Sequence, residues 1–248
     1  MNKLKKIGLT ALAASLVTTS AFAGAMSVAG GASIGVKNTT GTADASTGKS
    51  FTMGNQLTFS GGGELDNGLN VSLSFVIDQA DNTSVSDGPF DSHSVTISSD
   101  ALGTLVLSGE GGSSAQSAMD TTAAGDIWNN GLGMASVSAA AAGNNSLFYT
   151  LPAMMDGVAI TASMSPGRAA QETHTSFGLV YTGVEGLTVK LGQGDSGAPA
   201  AEIESTTMMA SYAIGSFTVS ASNTEADKTG AANEEVDSFQ IAYTVTDD

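Results

Sequence analysis

Large apolar and small polar residues alternate in short stretches along most of the chain. Leu69-Asn70-Val71-Ser72-Leu73-Ser74-Phe75-Val76-Ile77 is the clearest case, with every odd position apolar and the even ones mostly Asn or Ser. Period two puts one set of side chains on one face of a β-strand. The dyad recurs at Val95/Ile97, Leu105/Leu107, Leu147/Tyr149/Leu151, Val158/Ile160/Ala162/Met164 and Phe177/Leu179/Tyr181. It continues through Leu187/Val189/Leu191, Met208/Ala210/Tyr212, Phe217/Val219/Ala221 and Phe239/Ile241/Tyr243. With residues 26–37 and 51–65, the pattern predicts about twelve strands. The connections alternate in length. Tight turns fall at 66–68, 100–103, 153–157, 183–186 and 214–215, and longer polar loops near 38–50, 78–91, 109–145, 165–172, 192–205 and 223–237. Short turns on one side and long loops on the other describe a transmembrane antiparallel up-and-down β-barrel, and also a soluble meander.

Two features separate those readings. The four tyrosines, Tyr149, Tyr181, Tyr212 and Tyr243, carry the apolar parity of their strands and stand before a short turn, or where one is due, at spacings of 32, 31 and 31. Amphipathic rings on the lipid face at strand ends form an interfacial girdle, here at the periplasmic, short-turn side. Charge is the second feature. Of 24 acidic residues, 17 fall in the six long loops and 6 in or beside short turns, leaving Glu64 alone inside a strand. No charged residue takes a clear outward position in strands two to twelve, which is what the cost of charge against lipid would leave.

Composition narrows the classes further. Cysteine is absent and only His93 and His174 could supply imidazole, which argues against disulfides, thiolate chemistry and a transition-metal site. Lys3, Lys5 and Lys6 precede an apolar run of eleven residues, 7–17, and Ala21-Phe22-Ala23 precedes Gly24, so residues 1–23 read as a signal peptide cleaved between Ala23 and Gly24. Residues 24–248 then form one barrel domain carrying 5 basic and 24 acidic groups, a net of −19. That charge leaves no basic face for nucleic acid.

At this point the chain resembles the general bacterial porins, particularly the alphaproteobacterial type. Residues 58–77, with FSGGGELDNGLNVSLSF at their centre, resemble that family's second hairpin. Leu102-Gly103-Thr104-Leu105-Val106-Leu107-Ser108-Gly109 is similar to the strand entering its long third loop. Asn145-Ser146-Leu147-Phe148-Tyr149-Thr150-Leu151-Pro152 is similar to the strand leaving it. The resemblance implies a sixteen-stranded barrel, a homotrimer in outer-membrane lipid, and passive diffusion of small hydrophilic solutes. It also implies that the third loop, about 109–144, folds inward as a constriction. Two departures stand out. The chain ends Thr244-Val245-Thr246-Asp247-Asp248 rather than on a terminal aromatic, so it reads as C-terminally incomplete by about four strands. Second, Glu110, Asp120 and Asp126 supply acids for the constriction, but Lys190 is the one clear basic residue of inward parity. A lumen of one sign concentrates counter-ions, which predicts cation preference. Trp128 either lines the constriction or anchors its loop.

Other chemistry is set aside. Gly194-Asp195-Ser196-Gly197 matches the tetrad around a protease nucleophile, but neither histidine has a matching context, and no enzyme is expected. The acidic loops, Asp78/Asp81/Asp87/Asp91 and Glu234/Glu235/Asp237, suit weak divalent-cation binding and lack the spacing of a calcium cage. No other cofactor is expected. Arg168 falls in an external loop, away from the constriction. The competing class is a secreted or surface-attached soluble β-rich structural or adhesion protein, which would explain the composition but not the tyrosine spacing.

Overall fold

The computed structural model describes residues 26–39, 48–78, 90–119, 140, 143–167, 172–197 and 201–245. Twelve strands and no helix are found among them. The chain divides into two compact units, residues 1–99 and 100–248. The first holds β1 (Ser27–Thr39), β2 (Gly48–Glu64), β3 (Asn70–Asp78) and β4 (Phe90–Ser99). The second holds β5 (Gly103–Glu110), β6 (Ser146–Thr150), β7 (Val158–Ser165), β8 (His174–Tyr181), β9 (Leu187–Ser196), β10 (Ile203–Ile214), β11 (Phe217–Lys228) and β12 (Glu234–Tyr243). Within each unit every strand pairs antiparallel with its neighbours in sequence. The period-two reading therefore gives the right element type and number, and both units are up-and-down meanders.

Register keeps like with like. Val219 lies opposite Tyr212 and Ile241, and Ser220 opposite Ser211 and Gln240. Each strand thus extends two continuous faces, one apolar and one of small polar residues. Their burial is the reverse of a soluble sheet. Phe239 is 79% exposed and Ile241 75%, whereas Ser238, next to Phe239 on the opposite face, is 6% exposed. Among the described residues six apolar side chains are buried against eleven polar ones, so no conventional hydrophobic core stabilises these sheets. Fully exposed apolar faces of this extent are unstable in water and stable against hydrocarbon.

Short turns close the strands at one end. Gly103 opens β5 with φ 76°, and a Cβ there would lie 2.2 Å from the carbonyl oxygen of Thr150, so only glycine fits. At the opposite end the strands run past the alternating segments. The loops expected at 192–205 and 223–237 shrink to 197–202 and 229–233. Ten carboxylates assigned to long loops (Asp78, Asp91, Glu110, Asp195, Glu204, Glu225, Asp227, Glu234, Glu235 and Asp237) lie within strands instead, not Glu64 alone. Nor is the apolar-parity face free of charge: Asp91, Asp195, Glu204, Glu225, Asp227, Glu235 and Asp237 all share it. The reason is that backbone ladders need no apolar side chain to continue, so the strands carry on where the alternation stops. These acids occupy the loop-side ends, beyond Leu191, Met208 and Phe239, and leave the apolar band itself uncharged.

A charge placed inside that band should be costly. Ala221→Arg, between Ala210 and Phe239 in the register, should lower the stability of the bilayer-folded protein by about 2–4 kcal/mol, whereas Glu225→Gln should change it by less than about 1 kcal/mol. Denaturant titration in lipid vesicles would read both, and equal effects would contradict a lipid-facing band.

Candidate functional site

The segment after β5 packs against the polar face of its own unit. Its neck is tied by Gly112 and Gly143, which exchange both backbone hydrogen bonds at 2.9 and 3.1 Å. Asn145 N donates to Gly109 O at 3.1 Å, from a residue at φ 58°. Past the neck the chain makes a tight serine-rich turn. Ser117 N donates to Ser114 Oγ at 3.0 Å, and Ser114 N donates to Ser117 Oγ at 3.2 Å. Short hydroxyl side chains of this kind take over backbone donors where no regular ladder exists.

The turn is fixed to the strands by uncharged groups. Ala115 N is shared between Ser163 Oγ on β7 at 3.0 Å and Ser176 Oγ on β8 at 2.9 Å, and the two hydroxyls are 2.6 Å apart. Gln116 is fully buried. Its Nε2 donates to Thr207 Oγ1 on β10 at 2.8 Å, and its Oε1 accepts from Ala140 N, also at 2.8 Å. Missing side chains on the strands make the room. A Cβ on Gly178 would lie 2.8 Å from Ala115 O, one on Gly192 3.0 Å from Met119 Cβ, and one on Gly194 2.7 Å from Ala140 Cβ. Gly178 and Gly192 are register partners, so together they form the trough in which the turn lies.

Charged groups are sparse on this face. Glu110 ends β5 at the foot of the neck, partly exposed. Lys190 on β9 lies between Val180 and Met209 in the register, with partial exposure. At the loop-side end, His174 Nδ1 stands 2.9 Å from Asp195 Oδ2, while Thr175 N and Oγ1 donate to Asp195 Oδ1 at 2.9 and 3.1 Å. Lys228 pairs with Glu234, and Asn233 donates to Asp227 at 2.6 Å. Among the described residues no group of three His, Asp or Glu side chains converges as a metal site. A buried polar face, an exposed apolar face and a loop laid over the polar one form a channel wall turned inside out. A sequence profile for Gram-negative porins matches residues 8–248.

The chain belongs to the Gram-negative porin family. Its fold is similar to that of a loop-deletion mutant of OmpT, an outer membrane protein of Vibrio cholerae, at 12% identity and TM-score 0.61, over 91% of this chain and 78% of that one. An anion-selective porin from Comamonas acidovorans is similar at 16% identity and TM-score 0.54, over 88% and 73%. A mutant of the Rhodobacter blastica porin is similar at 13% identity and TM-score 0.52, over 90% and 91%. No curated protein sequence matches the chain. As a Gram-negative porin it is a β-strand membrane protein of the outer membrane.

The porin's candidate residues separate into three groups. Glu110 and Lys190 are positioned as described above. Asp120, Asp126, Trp128 and the cleavage pair Ala23 and Gly24 lie outside the described residues. The tyrosines all sit at the short-turn ends of their strands. Tyr149 Oη donates to Leu102 O at 2.6 Å, Tyr181 lies over Gly183, Tyr212 lies near Gly186, and the Tyr243 and Phe217 ring centroids are 4.7 Å apart. Sequence reasoning missed Gln116, Ser163, Ser176 and Thr207. Their only sequence signal is polar parity in the strands and an unpatterned Gly/Ser/Ala stretch in the loop.

The trough predicts a sensitive position. Gly192→Val should push Gln116 and Met119 from the wall, so that a broad-specificity protease cuts the loop faster in the folded, detergent-extracted protein while its unheated gel band is retained. Unchanged cleavage would show that the trough does not hold the loop.

Proposed function

We propose that this porin is a general-diffusion channel that passes small hydrophilic solutes and ions passively and prefers cations. The observation that carries this reading is the inverted polarity of the sheets: Ser, Thr and Gly line the buried face and Phe, Ile, Val and Tyr the exposed one. A face of hydroxyls suits water and a face of hydrocarbon suits lipid, as closed β-barrels require. It also counts against the soluble structural or adhesion protein, which would hide its apolar face. The loop at about 109–144 acts as the constriction, supported by the seat of its residues 114–116 on the polar face. Glu110, Asp120 and Asp126 give the constriction its negative charge, Lys190 opposes them weakly, and Trp128 lines or anchors the loop.

The rest of the reading concerns setting. Residues 1–23 direct export and are removed before Gly24. Residues 24–248 belong to the barrel domain, and the protein works as a homotrimer in outer-membrane lipid. Tyr149, Tyr181, Tyr212 and Tyr243 form the periplasmic-side girdle against lipid headgroups. The acidic loops hold divalent cations diffusely, no other cofactor takes part, and the protein is a channel rather than an enzyme. Selectivity follows from charge rather than fold, so likeness in fold to a porin named as anion-selective does not carry anion preference to a chain with a net of −19 after residue 23.

A salt gradient across a bilayer holding the reconstituted protein should give a cation-directed reversal potential. Lys190→Gln should strengthen the preference and Glu110→Gln weaken it, each on the order of twofold in permeability ratio, because one screened charge in water is worth about 1 kcal/mol or less. An anion-directed potential would refute the cation preference alone. Absence of any current from folded protein would refute the channel.

A further inference from the structure

We propose that Gln116 is a positioning residue that sets the conductance of the pore, by pinning both limbs of the loop after β5 to the wall. The inference rests on the channel reading above and goes beyond it, since it assigns the loop's stand-off to one neutral side chain. Three hydrogen bonds run through it in one direction. Ala140 N donates to Gln116 Oε1, Gln116 Nε2 donates to Thr207 Oγ1, and the Thr207 hydroxyl donates to Thr224 Oγ1 at 3.3 Å. The chain therefore joins the loop's returning limb to its outgoing limb and then to β10 and β11. Aligned hydrogen bonds in a dry setting reinforce one another, and Gln116, Thr207 and Thr224 are all buried. Ala140 is 3% exposed, so the bond it makes is shielded from water.

The other tethers hold less of the loop. Ser163 and Ser176 bind the backbone of residues 115 and 116, on the outgoing limb alone. Gly112 and Gly143 join the two limbs at the neck and bond nothing on the wall. Gln116 is the described side chain that reaches across to the returning limb and to the wall together. A primary amide is the right group for this, because it presents a donor and an acceptor on one flat end without charge. Replacing either role leaves a buried polar group without its partner, and the limb that loses its bond moves toward water to recover one. Since solutes pass on that side, the movement changes the free cross-section.

Charge neutrality gives the discriminating experiment. Gln116→Glu is nearly isosteric. When protonated it keeps a donor for Thr207 and an acceptor for Ala140, and when ionised it loses the donor and buries a charge. Burial favours the neutral form, so the pinned state carries a raised carboxyl pKa. The pin is then complete at low pH and lost as pH rises through that value. Single-channel conductance of the wild-type porin should be flat with pH over this range, apart from the slow drift set by its rim acids. Gln116→Glu should match wild type at about pH 4, near the ordinary glutamate value, and show a shifted, noisier open level at neutral pH. Gln116→Ala and Thr207→Val should show that shifted level at every pH, with the folded gel band retained.

A second readout does not depend on current. The chain has no cysteine, so Ala140→Cys introduces a single thiol. Its labelling by a soluble maleimide should be slow alone, fast with Gln116→Ala, and pH-dependent with Gln116→Glu. If labelling stays at the wild-type level in both Gln116 variants, and conductance stays there in these and in Thr207→Val, Gln116 is not the pin. If folded wild type carries no current but labelling follows the expected pattern, the pin stands as a property of the loop, while the channel reading and the conductance role fail together.

Discussion

A hydrocarbon solvent accepts neither an unpaired backbone group nor a charge, and every feature of this porin answers to that restriction. The backbone is paired by ladders that run strand to strand in chain order within each unit. The side chains facing lipid supply the apolar surface that a soluble protein would bury. What remains for the opposite face is a set of small, buried polar residues: Ser205, Thr207, Ser220, Ser222, Thr224 and Ser238. Their hydroxyls pair across strands, as Ser222 with Ser238 at 2.7 Å and Ser211 with Ser220 at 3.0 Å. The polar face is therefore satisfied by itself and does not depend on water for every bond.

That same smallness lets a loop come close. Leucines at 178 and 192 would hold the backbone of residues 115–119 several ångströms from the strands, whereas glycines let Ala115 O and Met119 approach within contact. The abundance of Gly, Ser and Ala, which reads as low information in the sequence, is thus a packing requirement at these positions. It also explains why the loop is fixed by amides and hydroxyls. Hydroxyl and amide groups reach short distances, and the trough brings their partners within that distance.

The legible part of the fold was the part written in apolar side chains. Leu69 to Ile77 and its later counterparts repeat with period two, and tyrosines at near-constant spacing mark the short-turn ends of β6, β8, β10 and β12. Strand ends at the other side were illegible because Asp195, Glu204, Glu225 and Asp227 carry no apolar alternation, yet their backbones still pair. A reader of side chains sees a loop there, and the hydrogen-bond ladder does not. Gln116 was invisible for a different reason. One glutamine in a stretch of small residues has no period to betray it, and its meaning comes from Thr207, 91 positions away, and Ala140, 24 positions away. Lys190 was legible as a polar-parity charge, since parity survives folding even where contacts cannot be foreseen.

The constriction proposed for this loop assigns geometry and selectivity to different residues. The described tethers of the loop beyond its neck are neutral: Ser163, Ser176, Gln116 and Thr207. The described charges lie elsewhere, in the loop-side strand ends, in and beside the short turns, at the foot of the neck and at Lys190. Were the loop held by ion pairs, every change of salt or pH would move the constriction as well as its field, because exposed charges are screened within about 10 Å at ordinary ionic strength. A neutral tether separates the two. Salt and acid then alter which ions are drawn to the mouth, while the opening they pass through keeps its size. An outer-membrane pore meets the external medium directly, so under the proposed reading independence of this kind would let sieving by size persist while ion preference varied with conditions.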